Sequence, residues 1–372
     1  MEEKFTNTPE AENITEQERS VLNEAEEQIS AQTGVDIPLS PDDTEVPLDK
    51  NVRLMSPTRM LLRRFFRSKL SVAGIIILAA LYLFCWFGPL VYRQWGEVDV
   101  DYNGPTEYTI SEIQDENGNK IKQVVVTSKG INILAAPSAD HPLGTDEKGM
   151  DVFARIMYGG RLSLSLSIFA VLLISFLGIV MGGIAGYYGG VVDNIIMRIC
   201  DVLMCLPTLP LMLIIGVILE ENKVPQESYI FLLMGLLSLF SWPGMARLVR
   251  GQILFLREQE YMVAAEAMGF STSRKIFKHL IPNILPQILV SMTLSLGSMI
   301  LYESTLSYLN LGVKTPYSSW GTMIEIISRD KTVFEQHFNV WVPSGVCIVL
   351  AVLGFNFIGD GLRDALDPKQ RR

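Results

Sequence analysis

REQEYMVAAEAMGFSTSRKIFKHLIPNILP, residues 257–286, is polar and basic and lies between two long apolar segments. Gln259 to Met268 is rich in strong helix formers and has no breaker, which predicts a helix. Gly269 reads as its stop, because glycine is favoured just past a helix end. Ser271 or Ser273 is suited to cap a second short helix, Arg274 to Leu280. Pro282 is expected to end that helix, and Pro286 to sit in the first turn of the next apolar segment, where proline is tolerated. The stretch reads as a helix-turn-helix that a membrane protein places in water. Ala264, Ala265 and Ala267 give it small faces that another protein's backbone can approach closely. An ordinary amphipathic linker fits the pattern alone equally well.

Working outward, the 372 residues are 49% hydrophobic and 19% charged, with a mean hydropathy of +0.28. That is too apolar for an ordinary soluble domain. Residues 1–50 hold 14 acidic and 3 basic side chains, a net −11, so the other 322 residues carry +2 of the chain's −9. The acidity belongs to the tail and does not define the partners of the apolar body. Cys85, Cys200, Cys205 and Cys347 all lie in apolar stretches, away from His141, His279 and His337. They read as free buried thiols, with neither metal spacing nor a disulfide framework.

The sequence predicts an all-α integral membrane protein of about six spans, with a small extracytoplasmic insertion containing a β-hairpin. Residues 1–50 read as a disordered cytoplasmic tail, not a signal peptide. Residues 51–70 follow with Arg53, Arg59, Arg63, Arg64, Arg67 and Lys69, no acidic residue, and Leu61, Leu62, Phe65 and Phe66 interleaved. This is expected to be a basic interfacial helix on the inner side. Residues 71–92 form the first span, with Trp86, Tyr92 and Trp95 as anchors at its far end. The insertion, 93–160, has strand-like runs at 107–114 and 121–127 around Asn117-Gly118, a hairpin signal. Val152, Phe153, Ile156 and Met157 share one helical face, predicting a short surface helix.

The core, 161–362, holds spans near 162–187, 194–220, 229–249, 283–311 and 341–358, with the polar loop at 250–282. Gly178, Gly182, Gly183 and Gly186 permit close helix packing. Asp193 is a plausible cap after a short inner turn, and Arg198 is spaced to pair with Asp201. Pro207 and Pro210 are expected to kink the third span beside a cavity, and Trp242-Pro-Gly to break the inner end of the fourth. Glu303 is a carboxylate at membrane depth, costly unless paired or wet, which marks either a gate or a buried contact. Ser319-Trp320-Gly321 should dock a short amphipathic helix. Asp360, Arg363 and Asp367 are expected to cap and pair near the inner face, ahead of a cytoplasmic end at 363–372. The charge bias puts both termini inside.

The 257–286 stretch resembles the cytoplasmic coupling loop of binding-protein-dependent ABC importers. Their pattern is Glu-Ala-Ala, three residues, Gly, nine residues, then Ile-x-Leu-Pro. Ala264, Ala265, Gly269 and Pro282 match it, while Val263 replaces the Glu, His279 the first Ile and Ile281 the Leu. Ala-Ala-x-Ala-x-Gly followed by Ile-Pro-Asn resembles the peptide importers in particular. So do His141-Pro-Leu-Gly-Thr-Asp146, the Glu303–Gly312 run, in which Asn310 replaces a glycine, and the ending Gly354–Pro368. His141 and Asp146 are read as structural. The resemblance covers about residues 60–368 and implies a permease in a bacterial cytoplasmic membrane. It implies a second homologous permease, two cytoplasmic ATPase subunits and an extracytoplasmic substrate-binding protein as partners, the lipid bilayer around it, and no nucleic acid. Tyr261, Ala264, Ala265, Ala267, Met268, Gly269 and Pro282 would form the ATPase-coupling site. Glu303, Pro207 and Pro210 would serve in gating or packing.

No phosphate-binding loop is present; Gly-Lys does not occur. The chain is therefore expected to hold no cofactor and not to be an enzyme, with ATP and Mg on partner ATPases. Nickel, oligosaccharide or opine transport by similar machinery stands beside peptide transport. A secondary transporter would need ion-coupling groups, of which Glu303 is the only deep candidate. An intramembrane enzyme would need convergent catalytic groups that the spans do not supply.

Overall fold

The computed structural model describes residues 57–114 and 120–366. The acidic tail, Arg53, Asn117-Gly118, Asp367, Arg371 and Arg372 lie outside them. The chain runs α1 Pro57–Arg67, α2 Lys69–Val91, β1 Thr106–Gln114, β2 Lys120–Lys129, α3 Val152–Tyr188, α4 Gly190–Cys205, α5 Thr208–Glu221, α6 Gln226–Ser241, α7 Pro243–Arg257 and α8 Glu260–Ala267. A single turn, α9 Thr272–Arg274, and a π-helical stretch, Lys275–Leu280, lead into α10 Ile281–Leu306. A second π-helical stretch, Ser307–Leu311, is followed by α11 Trp320–Arg329, α12 Lys331–Gln336 and α13 Phe338–Leu366. Four helical stretches, α2, α3, Lys278–Leu311 and α13, are long and apolar enough to cross a membrane. Counting each of the bent pairs α4–α5 and α6–α7 as one span gives up to six. β1 and β2 pair antiparallel, with an irregularity between Glu107 and Tyr108.

The longest helix sets the frame. At 37 residues, α3 is roughly 55 Å long at 1.5 Å per residue. It joins an insertion end, at residues 93–151, to a loop end, at 258–280. The short surface helix expected near Val152 is not separate; it is the first two turns of α3. Gly159 and Gly160 do not break it, because their bare faces admit neighbours. A Cβ on Gly160 would lie 2.4 Å from Cys85 Sγ and 2.6 Å from the Trp320 ring. Asp151 starts α3, its Oδ1 accepting the Ala154 N–H at 2.6 Å.

The loop-end half of α3 packs on α7 through a stripe of glycines. A Cβ on Gly178 would come within 2.5 Å of Met245 Cβ, one on Gly182 within 2.3 Å of the Ala246 carbonyl oxygen, and one on Gly186 within 3.0 Å of the Arg250 carbonyl oxygen. Spacing by four keeps the three on one face. Lipid gives helices no hydrophobic reason to associate, so such close approach holds them. Gly183 is off the stripe; its nearest atom would be Ile253 Cδ1 at 3.8 Å. Two ion pairs add to the seam between α4 and α7. Arg250 grips Asp193 with both Nε and Nη2, and Arg247 Nη2 meets Asp201 at 2.5 Å. Asp193 therefore answers an arginine 57 residues away instead of capping α4, whose cap position is Gly189. Arg198 shares Asp201 at 3.7 Å.

Other differences follow from prolines. The third span breaks once, by 80°, between Cys205 and Thr208. Pro207 sits at the cap and Pro210 in the first turn of α5, where its missing N–H costs nothing. Both are exposed on this chain. The fourth span bends 41° at Trp242-Pro243, then continues to Arg257, so the polar loop starts eight residues later than expected. Of the cysteines, Cys85 and Cys200 are buried, Cys347 is half-buried and Cys205 is exposed; all four are free.

The stripe gives a sharp contrast. Gly182→Val should lower thermal stability in detergent by about 1–3 kcal/mol or more, because a branched side chain cannot enter the seam. Gly183→Ala should leave the melting temperature unchanged. Equal effects of the two would remove the stripe as the organising contact.

Candidate functional site

Residues 258–280 form the loop end. Gln259 is extended and opens α8. The helix ends in a paired-bond motif: Phe270 N–H donates to the Ala265 carbonyl at 3.1 Å and Gly269 N–H to the Glu266 carbonyl at 2.9 Å. This Schellman geometry needs a left-handed residue, and Gly269 has φ +69. No atom lies within 4 Å of where its Cβ would be. Conformation rather than space selects glycine here.

α8 has two faces. Met262 and Ala265, 3% and 2% exposed, turn inward, and Met262 joins the core cluster with Ile253, Leu280 and Ile284. Tyr261, Val263 at 60% and Met268 at 63% are exposed, as are Ala264 and Ala267. The small residues thus divide: Ala265 is part of this chain's own packing, while Ala264 and Ala267 lie open between apolar side chains. An open apolar helix face at a polar end of the molecule is suited to receiving another protein.

The return segment is tied down by aromatic and cationic contacts. Arg274 stands 4.2 Å over the Phe270 ring, Lys275 pairs with Glu266 at 3.9 Å, and Arg257 Nη1 donates to the Tyr187 carbonyl at 2.9 Å. Ser271 is the cap, its Oγ accepting the Arg274 N–H at 3.4 Å. Pro282 does not end the second helix. The backbone passes helically from Thr272 through Leu306. Pro282 lacks an N–H and its ring crowds the carbonyl four residues back. The π-helical stretch accommodates this, with the Ile281 N–H reaching five residues back to Ile276. Pro286 lies inside α10 rather than in a first turn. The return segment and α10 are therefore one continuous rod.

At the other end of that rod, Glu303 is 0% exposed. Ser163 Oγ of α3 donates to its Oε2 at 3.0 Å, and Ser307 Oγ to its Oε1 at 2.9 Å. Ser163 Oγ also accepts the Trp320 N–H at 3.2 Å, so one polar knot joins α3, α10 and α11. Ser319 opens α11 with a capping box closed by Thr322. Asn310, seven residues past Glu303, has φ +63, a conformation in which asparagine is the usual substitute for glycine. Ser163 belongs to an alternating run of serines at 163, 165 and 167, but its tie to Glu303 spans 140 residues, whereas Ser307 is only four residues away.

A second knot lies at the insertion end. His141 Nδ1 is 2.8 Å from Asp151 Oδ2, its Nε2 is 3.3 Å from Asp101 Oδ2, and its ring lies 4.5 Å from that of Trp95. Burial alone would raise the Asp101 pKa, but hydrogen bonds from Asn132, the Asn103 N–H and His141 outweigh it and hold the carboxyl below its usual range. Asp146 pairs with Arg155 at 3.3 Å. Among the described residues no group of three His, Cys, Asp or Glu has metal-holding geometry.

With this geometry in view, known proteins can be compared. The family described as binding-protein-dependent transport system inner membrane component matches residues 174–372, and the N-terminal TM domain of oligopeptide transport permease C matches residues 56–108. The chain belongs to the first of these families. This inner-membrane component is 36% identical over 310 residues to the oligopeptide transport system permease protein OppC of Bacillus subtilis, covering 83% of this chain and 88% of that one. It is 36% identical over 335 residues to the dipeptide transport system permease protein DppC of Alkalihalophilus pseudofirmus, covering 90% and 97%. A solved inward-facing form of the MetNI methionine ABC transporter is similar at a TM-score of 0.45 and 18% identity, over 57% of this chain and 97% of that one.

The two faces of α8 predict different failures. Ala264→Asp should leave the inner-membrane component inserted with an unchanged melting temperature while uptake is lost. Ala265→Asp should destabilise it, since a carboxylate would enter the core without a partner. Gly269→Val should cost about 1–2 kcal/mol from the left-handed backbone alone, with Gly269→Asn milder. A uniform response of melting temperature across the set would contradict the division.

Proposed function

We propose that this chain is the permease subunit of an ATP-driven importer of short peptides, seated in a bacterial cytoplasmic membrane with both termini and α8 inside. The observation that carries the reading is α8 itself: a short helix with an open apolar face, set on a packed core at the end of a continuous rod. Likeness over 83–90% of the chain to permeases named for oligopeptide and dipeptide transport supports the cargo class. The basic residues of α1 and of the loop end support the orientation.

In this reading two cytoplasmic ATPases grip α8 and its counterpart on a second, homologous permease. A binding protein delivers peptide from outside. Closure of the ATPase pair displaces α8. The displacement passes through the Met262 and Ala265 contacts to α7, and through the return segment to α10. Because α3 and α7 are locked by the glycine stripe, the spans move as packed units and the path between the two permeases opens to alternate sides. Glu303 then serves as a fixed joint of α3, α10 and α11 instead of an ion-coupling group.

Two measurements test this. Purification in mild detergent should recover a second permease and two ATPases, with ATP hydrolysis stimulated by peptide-loaded binding protein. Recovery of the chain alone, folded and without ATPase, would overturn the reading. Glu303→Gln should retain peptide uptake, since an amide can still serve both serines. Glu303→Leu should lose about 1–3 kcal/mol of stability by stranding their hydroxyls. Abolished uptake in a fully stable Glu303→Gln protein would favour a charge-coupled transporter.

A further inference from the structure

α1 presents a surface that the proposed transport cycle does not use. Phe65 turns toward the last span, its Cε2 3.5 Å from where a Cβ on Gly361 would stand, and packs edge-on against Phe66 at 5.6 Å. Ser68 then caps α2, its Oγ accepting the Ser71 N–H at 3.4 Å, so α1 is held at the very start of a membrane span. With that edge anchored, Leu62, Phe66 and Leu70 remain 58%, 58% and 59% exposed. Leu62 and Phe66, spaced by four, share one face of α1, and Leu70 follows in the first turn of α2, past the extended Ser68. Arg63, Arg67 and Lys69 are exposed beside it and Arg64 is half-buried.

Among the described residues these cations have no acidic counterpart. No aspartate or glutamate occurs between Lys50 and Glu97. Among the described residues, the ion pairs involve other arginines and lysines. An apolar stripe flanked by unpaired cations, joined directly to a span, matches the boundary between acyl chains and headgroups. Several cations in one place match anionic headgroups in particular, since a zwitterionic headgroup carries no net charge to attract them. We propose that the α1 face formed by Leu62, Arg63, Phe66 and Arg67, continued by Lys69 at the start of α2, is a binding surface for anionic phospholipid, with Arg64 at its edge. The proposal concerns lipid and is independent of the cargo and of the ATPase partners.

The test uses the full chain in mild detergent, with phosphatidylglycerol or phosphatidylcholine added at equal concentration and retained lipid counted by native mass spectrometry. The wild type should retain phosphatidylglycerol over phosphatidylcholine by roughly ten-fold. Changing Arg63, Arg64, Arg67 and Lys69 to Gln should erase the preference without shifting the melting temperature. Leu62→Ser with Phe66→Ser should lower retention of both lipids. Equal retention of the two lipids by the wild type would overturn the proposal, as would a preference that survives the four-Gln variant. A preference that emerges only when the glutamates between residues 10 and 27 are changed to Gln in the full chain would also overturn it, by showing that the acidic tail occupies this face.

Discussion

Close approach between α3 and α7 is the contact on which the rest of the architecture depends. Helices surrounded by lipid are not pushed together by water, so their association rests on packing and polar contacts. Gly178, Gly182 and Gly186 bring α7 so near that single carbons at these positions would collide with its backbone or with Met245. That seam fixes where α7 ends, and so where α8 can sit. The Asp193–Arg250 and Asp201–Arg247 pairs hold α4 to the same helix, which keeps the steeply bent third span in register with the seam. At the opposite end the serines around Glu303 perform the same service with hydrogen bonds.

The continuity of the return segment with α10 changes how a signal from α8 would travel. A chain broken at Pro282 would have been a hinge, losing motion in a flexible joint. The π-helical stretch removes the hinge while still accommodating the proline. In the proposed cycle, displacement of the loop end would tilt a rod that reaches Glu303 and the left-handed turn at Asn310. The turn between α8 and the return segment, at Gly269, is held by two hydrogen bonds, with no neighbour crowding the glycine.

Much of this was legible in the residues. The number of candidate spans, up to six, followed from length and hydropathy, and the end of α8 from one glycine, which depends on neighbours within a turn. What could not be read was set by distant partners. Gly159 and Gly160 look like a helix break, yet they are where Cys85, Ser319 and Trp320 press in. Asp193 looks like a cap, yet its partner is on α7. Ala264 and Ala265 are adjacent and alike, and only the fold decides that one is open and the other buried. Pro282 looks like a stop, but helix on both sides of it overrides local propensity.

The central claim is that the open face of α8 receives a cytoplasmic ATPase. Photo-crosslinking from Val263 and Met268 in the assembled transporter tests it most directly, with Met262 as the inward-facing control. Adducts to an ATPase subunit from Val263 and Met268, and none from Met262, are the predicted result. Crosslinks to lipid or to the chain itself from all three positions, with the assembly intact, would contradict the account.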